Sequence, residues 1–228
     1  MGHGPLSSQP TGILTIMSFH LPPSLQCESD EFALKQLHGY YGPQFGDPGY
    51  FTGAAFDGWD SNGSHTEAAD RFTADDLVAV TFLSVRVMAT GAYWLLGPRA
   101  EQYNALLQAI GNDRDFADVD GQSITPDSPA WTLETELRKL PGVGRTIASK
   151  LMARKRPRLV PIYDKVLRQV MGLQDGHWQP LNAALRAEDQ ALQKRLLKLR
   201  AVANLPESIS ALRVLDVIAW RDGKEAGL

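Results

Sequence analysis

A short segment of the chain combines residues that could bind an anion with a carboxylate that could do chemistry. Residues 140–144 read LPGVG, and apolar residues recur at helical spacing on both sides of them. We therefore predict two helices joined by a tight turn. Gly142 and Gly144 allow close approach of another molecule, and the N–H groups that begin the second helix attract anions. Asp164 follows at the end of the mainly apolar run 160–163.

Basic residues are concentrated around this segment. Residues 138–168 contain ten basic residues and one acidic residue, which leaves 13 basic and 25 acidic of the totals of 23 and 26. The net charge of −3 argues against indiscriminate polyanion binding, but a local basic face still focuses the field there. Each of these residues taken alone also fits an ordinary solvated helix surface. The ten are Arg138, Lys139, Arg145, Lys150, Arg154, Lys155, Arg156, Arg158, Lys165 and Arg168.

Residues 140–168 resemble the helix-hairpin-helix DNA glycosylases, whose signature is LPGVG, a helix and a short apolar segment that ends in a catalytic Asp. Residues 160–164 (VPIYD) stand where those enzymes have the apolar lead-in and the carboxylate, and the spacing from Leu140 to Asp164 matches without a gap. Arg168 falls where the family often has Arg. The whole chain also resembles a bacterial family known only as a domain of unknown function.

The chain departs from the glycosylase pattern at three positions. Thr146 stands where the lyase-competent members have a Schiff-base lysine, so we expect no strand cleavage by that route. Cys27 is the single cysteine, which excludes the four-cysteine iron–sulfur cluster of some members. Lys165 follows Asp164, where the family often has Thr.

The resemblance implies a role for each matching residue. Asp164 would stabilise positive charge on the sugar as a base leaves, and would orient or deprotonate water. The carbonyls of Arg138, Leu140 and Val143 would hold a monovalent cation, K⁺ or Na⁺, and no other cofactor is expected. The sequence does not indicate which base enters the pocket. The residues expected at the DNA backbone are Gly142, Val143, Gly144, Arg145, Thr146, Lys150 and Arg168.

Three functions are consistent with these residues. The first is a monofunctional glycosylase that acts on a modified or damaged base in double-stranded DNA. The second is a non-catalytic DNA-binding module in which Asp164 only caps the following helix, a role that Asp fills well. The third is a former glycosylase that acts on a nucleoside or binds a protein. In the glycosylases the carboxylate also stands at a helix start, so the sequence does not separate these functions.

The periodicity predicts a mainly α protein, arranged as a two-lobed helical bundle, with a small β-hairpin or irregular layer near residues 40–60. We predict a loose N-terminal arm at 1–28, a first lobe from 29–72 and 173–228, and a helical lobe at 73–172 that ends with Asp164 at the junction. Predicted helices include 31–37, 74–88, 99–110, 178–187, 190–203 and 210–221. Thr73 with Asp76 forms a capping box at the start of the helix at 74, and Ser128 followed by Pro129 begins the first of the two helices joined by the turn.

Composition narrows the cellular setting. With 228 residues, 43% of them hydrophobic, the chain can bury a sizeable core. The apolar patch at 13–17 is too short for a signal sequence and lacks a basic region before it. Together with the lone cysteine, this predicts a soluble cytoplasmic protein that does not enter a membrane.

Overall fold

The computed structural model describes residues 19–42, 51–174 and 176–228, and within them the chain is mainly helical, with no β-strand. The α-helices are α1 (Pro23–Gln26), α2 (Glu31–Tyr41), α3 (Ala55–Gly58), α4 (Ala74–Phe82), α5 (Ala89–Leu96), α6 (Ala100–Ile110), α7 (Pro129–Leu137), α8 (Arg145–Lys155), α9 (Lys165–Met171), α10 (Trp178–Val202) and α11 (Ala211–Glu225). Three 3₁₀ turns lie at Thr52–Ala54, Phe116–Asp118 and Gly121–Ser123.

Several helices begin where side chains cap them. The N–H of Thr73 donates to Asp76 Oδ2 at 2.7 Å, which completes the capping box that starts α4. Ser128 accepts the N–H of Trp131 and is followed by a proline at the first position of α7. These local signals are visible in the sequence, and they explain why the starts of these helices were predicted well.

The segment expected as one helix from 74 to 88 is shorter in the structure. Helix α4 ends at Phe82, and Ser84 has a positive φ of 59°, which stops helix propagation. Residues 83–88 form a connection that leads to α5. Residues 83–85 of this connection line the cavity of the candidate site.

The predicted β-hairpin is not found among the described residues of its segment. Residues 51–58 form a 3₁₀ turn and the short helix α3 instead, while residues 43–50 lie outside the described ranges, as do residues 1–18 of the predicted arm. The predicted break between two C-terminal helices corresponds to residues 187–190 of α10, where the backbone leaves helical geometry.

The helices pack in two neighbouring groups. Helices α1, α2, α10 and α11 contact one another, and α4 to α8 form a second series of contacts, while α9 packs on α11. One connected apolar core runs through both groups. The proposed division into two lobes therefore remains a prediction. Within the described ranges, no helix combines the length and apolarity needed to cross a membrane.

Candidate functional site

A cavity of about 310 Å³ lies where α8, α9 and α11 meet the connection after α4. One wall is aromatic. The rings of Tyr40 and Phe51 stack with centroids 5.5 Å apart, and Trp220 meets Phe51 edge-on at 5.3 Å. The polar groups that line the cavity include Lys150, Asp164 and Asp216. A concave site of mainly apolar walls with a few polar groups is typical of a small-ligand or substrate pocket.

Asp164 lies at the start of α9 and also lines the cavity. Its Oδ1 accepts the N–H of Val166 at 2.9 Å, so the carboxylate caps α9. Its Oδ2 lies 3.1 Å from Lys150 Nζ. A fifth of its side chain remains accessible. Asp164 can therefore cap α9 and line the cavity together, because its two oxygens have different partners.

Lys150 belongs to the cavity and not to a solvent-facing basic surface. It is buried on α8, and its ammonium donates to Asp164 and, at 3.0 Å, to the carbonyl of Leu83. We had expected this lysine at the DNA backbone. No signal in the sequence revealed its burial, because the spacing of charged residues along α8 does not indicate which side of the helix faces the interior.

Helix α11 contributes a polar stripe to the cavity that the sequence prediction overlooked. Arg213, Asp216, Trp220 and Lys224 recur at three- and four-residue spacing and all line the cavity. The sequence predicted a helix at 210–221 from its apolar residues and assigned no role to the polar ones. The available signal for a polar site was the pair of charged residues Arg213 and Asp216, three residues apart within a mainly apolar helix.

Arg213 lines the cavity and is held in a buried hydrogen-bond network. Its Nε lies 3.0 Å from both oxygens of Asp57, and its Nη2 donates to Tyr40 Oη at 2.9 Å and to the carbonyl of Gly53 at 3.1 Å. Tyr40 Oη approaches Gly53 so closely that a Cβ there would clash with it. This network fixes the position of the Tyr40 ring.

Asp216 is buried on the cavity wall and accepts no hydrogen bond from any residue in the described part of the chain. Burial raises the pKa of its carboxyl from 3.8 to about 8; Arg213 opposes the shift and the nearby Asp164 adds to it. The cavity thus holds one carboxyl that is protonated at neutral pH beside another that is paired with an ammonium.

The turn between α7 and α8 is exposed next to this cavity. Gly142 has a φ of 77°, and Gly144, which precedes the first residue of α8, has open space on the side where a Cβ would lie. Met88, at the end of the connection that borders the cavity, packs over Gly142. The turn and the cavity are therefore neighbours on one side of the molecule.

Two arginines connect the turn with the segment that carries Asp164. The guanidinium carbons of Arg145 and Arg168 lie 4.8 and 5.2 Å from the ring centroid of Tyr163. Arg145 also donates to Glu134 at 3.0 Å. Both side chains are only partly accessible, so they order the surface near Asp164 as well as contributing charge to it.

The expected face of ten basic residues is smaller in the structure, because four of the ten are buried. Besides Lys150, three cations at the end of α8 point inwards. Arg154 donates to the carbonyls of residues 56, 57 and 59, Lys155 to Asp76 and the carbonyl of residue 68, and Arg156 to Asp70 and three carbonyls of other segments. Sequence cannot separate such internal cations from solvated ones, since both occur on charged helices.

The expected cation site at the turn involves three carbonyls. That of Leu140 accepts the N–H of Val143 at 3.0 Å, and a carbonyl has a second lone pair for an ion. Arg138 ends α7 next to them. Among the described residues, no group of three or more His, Cys, Asp or Glu side chains could hold a metal ion.

Comparison with known proteins corrects the family assignment. No curated protein and no solved structure matches the chain. The resemblance of residues 140–168 to the helix-hairpin-helix DNA glycosylases is wrong as an assignment, because the match that spans this segment is to a different family of unknown function and no glycosylase family matches. A motif of about thirty residues is short enough to recur without shared ancestry. The chain belongs to the family described as Family of unknown function (DUF6308), whose model matches residues 33–223.

Proposed function

We propose that the protein binds duplex DNA and hydrolyses the N-glycosidic bond of a modified or damaged base held in the cavity. The observation that carries the proposal is the pairing of Asp164 with Lys150 on the wall of an aromatic-lined cavity beside an exposed turn. The proposal rests on this geometry and the chemistry of the side chains, and not on family membership.

The chemistry needs a fixed negative charge near the sugar. As the bond from C1′ to the base nitrogen breaks, positive charge develops on the sugar, and a carboxylate close to C1′ stabilises it and accepts a proton from attacking water. Asp164 fits this role because it lines the cavity, while the N–H of Val166 at Oδ1 and the ammonium of Lys150 at Oδ2 hold the carboxylate in place.

The aromatic wall supports a planar ligand. Phe51 is 39% exposed, and Trp220 meets it edge-on, while Tyr40 stacks against Phe51 and is nearly buried. A base extruded from the duplex would contact this aromatic lining. The Arg213 network holds Tyr40 in its orientation before the ligand arrives. Such preorganisation lowers the entropic cost of binding.

The turn supports backbone contacts. We take α7, the turn and α8 as a helix-hairpin-helix unit whose N–H groups at residues 144–146 address a phosphate, with K⁺ or Na⁺ at the neighbouring carbonyls. The open space at Gly144 leaves room for such an anion. Exposed cations around the site, including Arg138, Lys139 and Lys165, add sequence-independent attraction.

A second candidate function is a DNA-binding module without catalysis. It is favoured by the hydrogen bond from Val166 to Asp164, since a cap alone explains an Asp at this position. It leaves the cavity and the Lys150 contact without a role.

The two functions are separated by measuring base release from a panel of duplexes, each carrying one modified base. If the proposal is correct, wild type releases a base, and Asp164→Asn lowers the rate by about 10²–10³-fold while DNA affinity is kept, because Asn also caps a helix. Asp120→Asn is the matched control, because Asp120 caps a 3₁₀ turn and does not line the cavity.

The product distinguishes hydrolysis from strand cleavage. We expect an intact abasic strand, because Thr146 carries no amine and the ammonium of Lys150 is engaged by Asp164 and Leu83. Borohydride trapping of a covalent complex would contradict this. Full activity in Asp164→Asn, or no base release from any duplex by wild type, would leave the binding module as the better description.

A further inference from the structure

The cavity contains a carboxyl that Asp164 chemistry does not use. Asp216 is 5% exposed, lines the cavity, and accepts no hydrogen bond from the residues that the structure describes. Its nearest cation on the same helix, Arg213, donates instead to Asp57, Tyr40 and Gly53. A buried polar group without a partner is uncommon in proteins, and one that faces a cavity is available to a ligand.

Charged residues on four different segments surround Asp216. Arg213 on α11 and Lys150 on α8 favour its ionised form, while Asp57 in α3 and Asp164 before α9 oppose it. Burial outweighs the two cations and raises the pKa of the Asp216 carboxyl to about 8. Two neutral or solvated groups complete the surroundings: the Tyr40 hydroxyl, whose pKa is raised by burial, and Lys224, which is exposed at the rim.

We propose that Asp216 is the proton donor to the departing base, so that the site is built for uncharged bases that need a proton to leave. This inference rests on the proposed glycosidic hydrolysis and names the substrate class of the same cavity. Its basis is geometric: two carboxyls share one aromatic-lined cavity, and only one of them is paired with a cation.

The bond from C1′ to the base nitrogen breaks, and its electron pair stays on the base, which takes the proton of the Asp216 carboxyl at a ring nitrogen or carbonyl oxygen. Water forms the new bond to C1′ and gives a proton to Asp164. The products are the free base and an abasic sugar, and proton exchange with solvent returns both carboxyls to their starting states. Pairs of carboxyls with different protonation states divide acid and base roles in this way.

The charge of the base decides whether this proton matters. An uncharged base leaves with negative charge unless it is protonated, so a general acid contributes about 10²–10⁴-fold to its release. A base that already carries a positive charge leaves as a neutral molecule and needs no proton. A cationic base therefore provides an internal control within the same cavity.

The test compares wild type and Asp216→Asn under single-turnover conditions from pH 6 to 10. The duplexes carry uracil or hypoxanthine as uncharged bases, or 7-methylguanine as a cationic base. For the uncharged bases, we expect the wild-type rate to fall about tenfold per pH unit above pH 8, and Asp216→Asn to lose at least about 100-fold at pH 7 with no remaining alkaline decline. Release of 7-methylguanine should change less than about threefold between the two proteins, because this base leaves without a proton from Asp216.

Each outcome decides the inference. If Asp216→Asn lowers release of both kinds of base equally, Asp216 acts in binding or packing and the inference fails. It also fails if wild type releases only the cationic base, while the proposed hydrolysis stands. If wild type releases no base, the proposed function itself fails. Asn matches the shape of a protonated Asp, and the wild-type pH profile gives a second measurement should the variant not fold.

Discussion

The C-terminal end and the middle of α8 bury cations in different ways. At its end, Arg154 and Lys155 face the fully buried Asp76 at 3.6 and 2.5 Å, and Arg154 also donates to several carbonyls. In its middle, Lys150 pairs with Asp164, but the neighbouring Asp216 has no hydrogen-bond partner among the described residues. The first region pairs its charges with one another, although Arg154 Nε and Asp76 Oδ1 make no hydrogen bond with any described residue, and the second leaves one carboxyl facing a cavity.

This difference separates a structural role from a chemical one. Burial lowers the pKa of Lys155, and the nearby Asp76 offsets part of this shift. The ion pair is therefore kept at the cost of desolvation, and it contributes to a defined packing of α4 on α8. In the cavity, burial without a partner changes the protonation state of Asp216 instead. We therefore expect substitutions in the first region to change stability, and those in the second to change pH dependence and activity.

The largest expected effect is at Asp76. Asp76→Asn removes the only carboxylate close to both Arg154 and Lys155 in the described structure, and leaves two buried cations without a carboxylate within 4 Å. We expect the free energy of unfolding to fall by about 3–5 kcal/mol, measured by urea denaturation. Asp70→Asn is the control: its partner Arg156 is buried but Asp70 is half exposed, so the loss should stay within about 1 kcal/mol. Equal losses would show that burial of the carboxylate is not what matters.

The second prediction concerns stability and pH at Asp216. Its pKa is 3.8 in the unfolded chain and about 8 in the folded protein, so between these values only the folded state retains the proton. Stability therefore decreases as pH rises through this window, by about 1.4 kcal/mol per pH unit, and levels off above pH 8. Asp216→Asn should remove this decrease and gain about 2.7 kcal/mol relative to wild type between pH 6 and 8.

A series of unfolding curves between pH 5 and 9 measures this difference. Asp60→Asn provides the control, because Asp60 is exposed and backbone hydrogen bonds lower the pKa of its carboxyl, which places its titration below the window. Its curve should run parallel to wild type from pH 6 to 8. A parallel curve for Asp216→Asn would show that Asp216 is ionised when folded, and would remove the basis for its role as a proton donor.

Local signals were enough to predict part of the molecule. The capping residues Thr73 and Ser128 located two helix starts, and the position of Asp164 at the start of a helix followed from its spacing. The cavity could not be predicted, because Tyr40 and Asp216 are brought together by contacts between segments far apart in the sequence. Lys150 was misplaced for a related reason: charge counts along a helix do not indicate which side faces the interior.

The third prediction separates Lys150 from the surface cations. Lys150→Met keeps the apolar stem and removes the ammonium that holds Asp164. We expect base release to fall by about 10–100-fold, equivalent to about 1.4–2.7 kcal/mol, with DNA affinity unchanged. Lys165→Met, at the exposed neighbour of Asp164, should show the opposite pattern: slightly weaker DNA binding and unchanged chemistry. A loss of DNA affinity in Lys150→Met larger than in Lys165→Met would place Lys150 at the phosphates.

The smallest expected effect tests the turn, at Gly144. This residue precedes α8 with extended backbone angles and no neighbouring atoms on its Cβ side, so an Asp fits there and caps the helix. Gly144→Asp should raise the free energy of unfolding by about 0.5–1 kcal/mol through the cap and the helix dipole. The same carboxylate occupies the N–H groups proposed for phosphate and repels it, so DNA affinity at low salt should fall by about tenfold. Gly144→Asn supplies the cap without the charge, and should stabilise the protein similarly while weakening DNA binding less. Stability and affinity measured on the three proteins therefore move in opposite directions if the turn contacts DNA. Unchanged affinity in Gly144→Asp, together with the expected stabilisation, would show that DNA does not approach the start of α8.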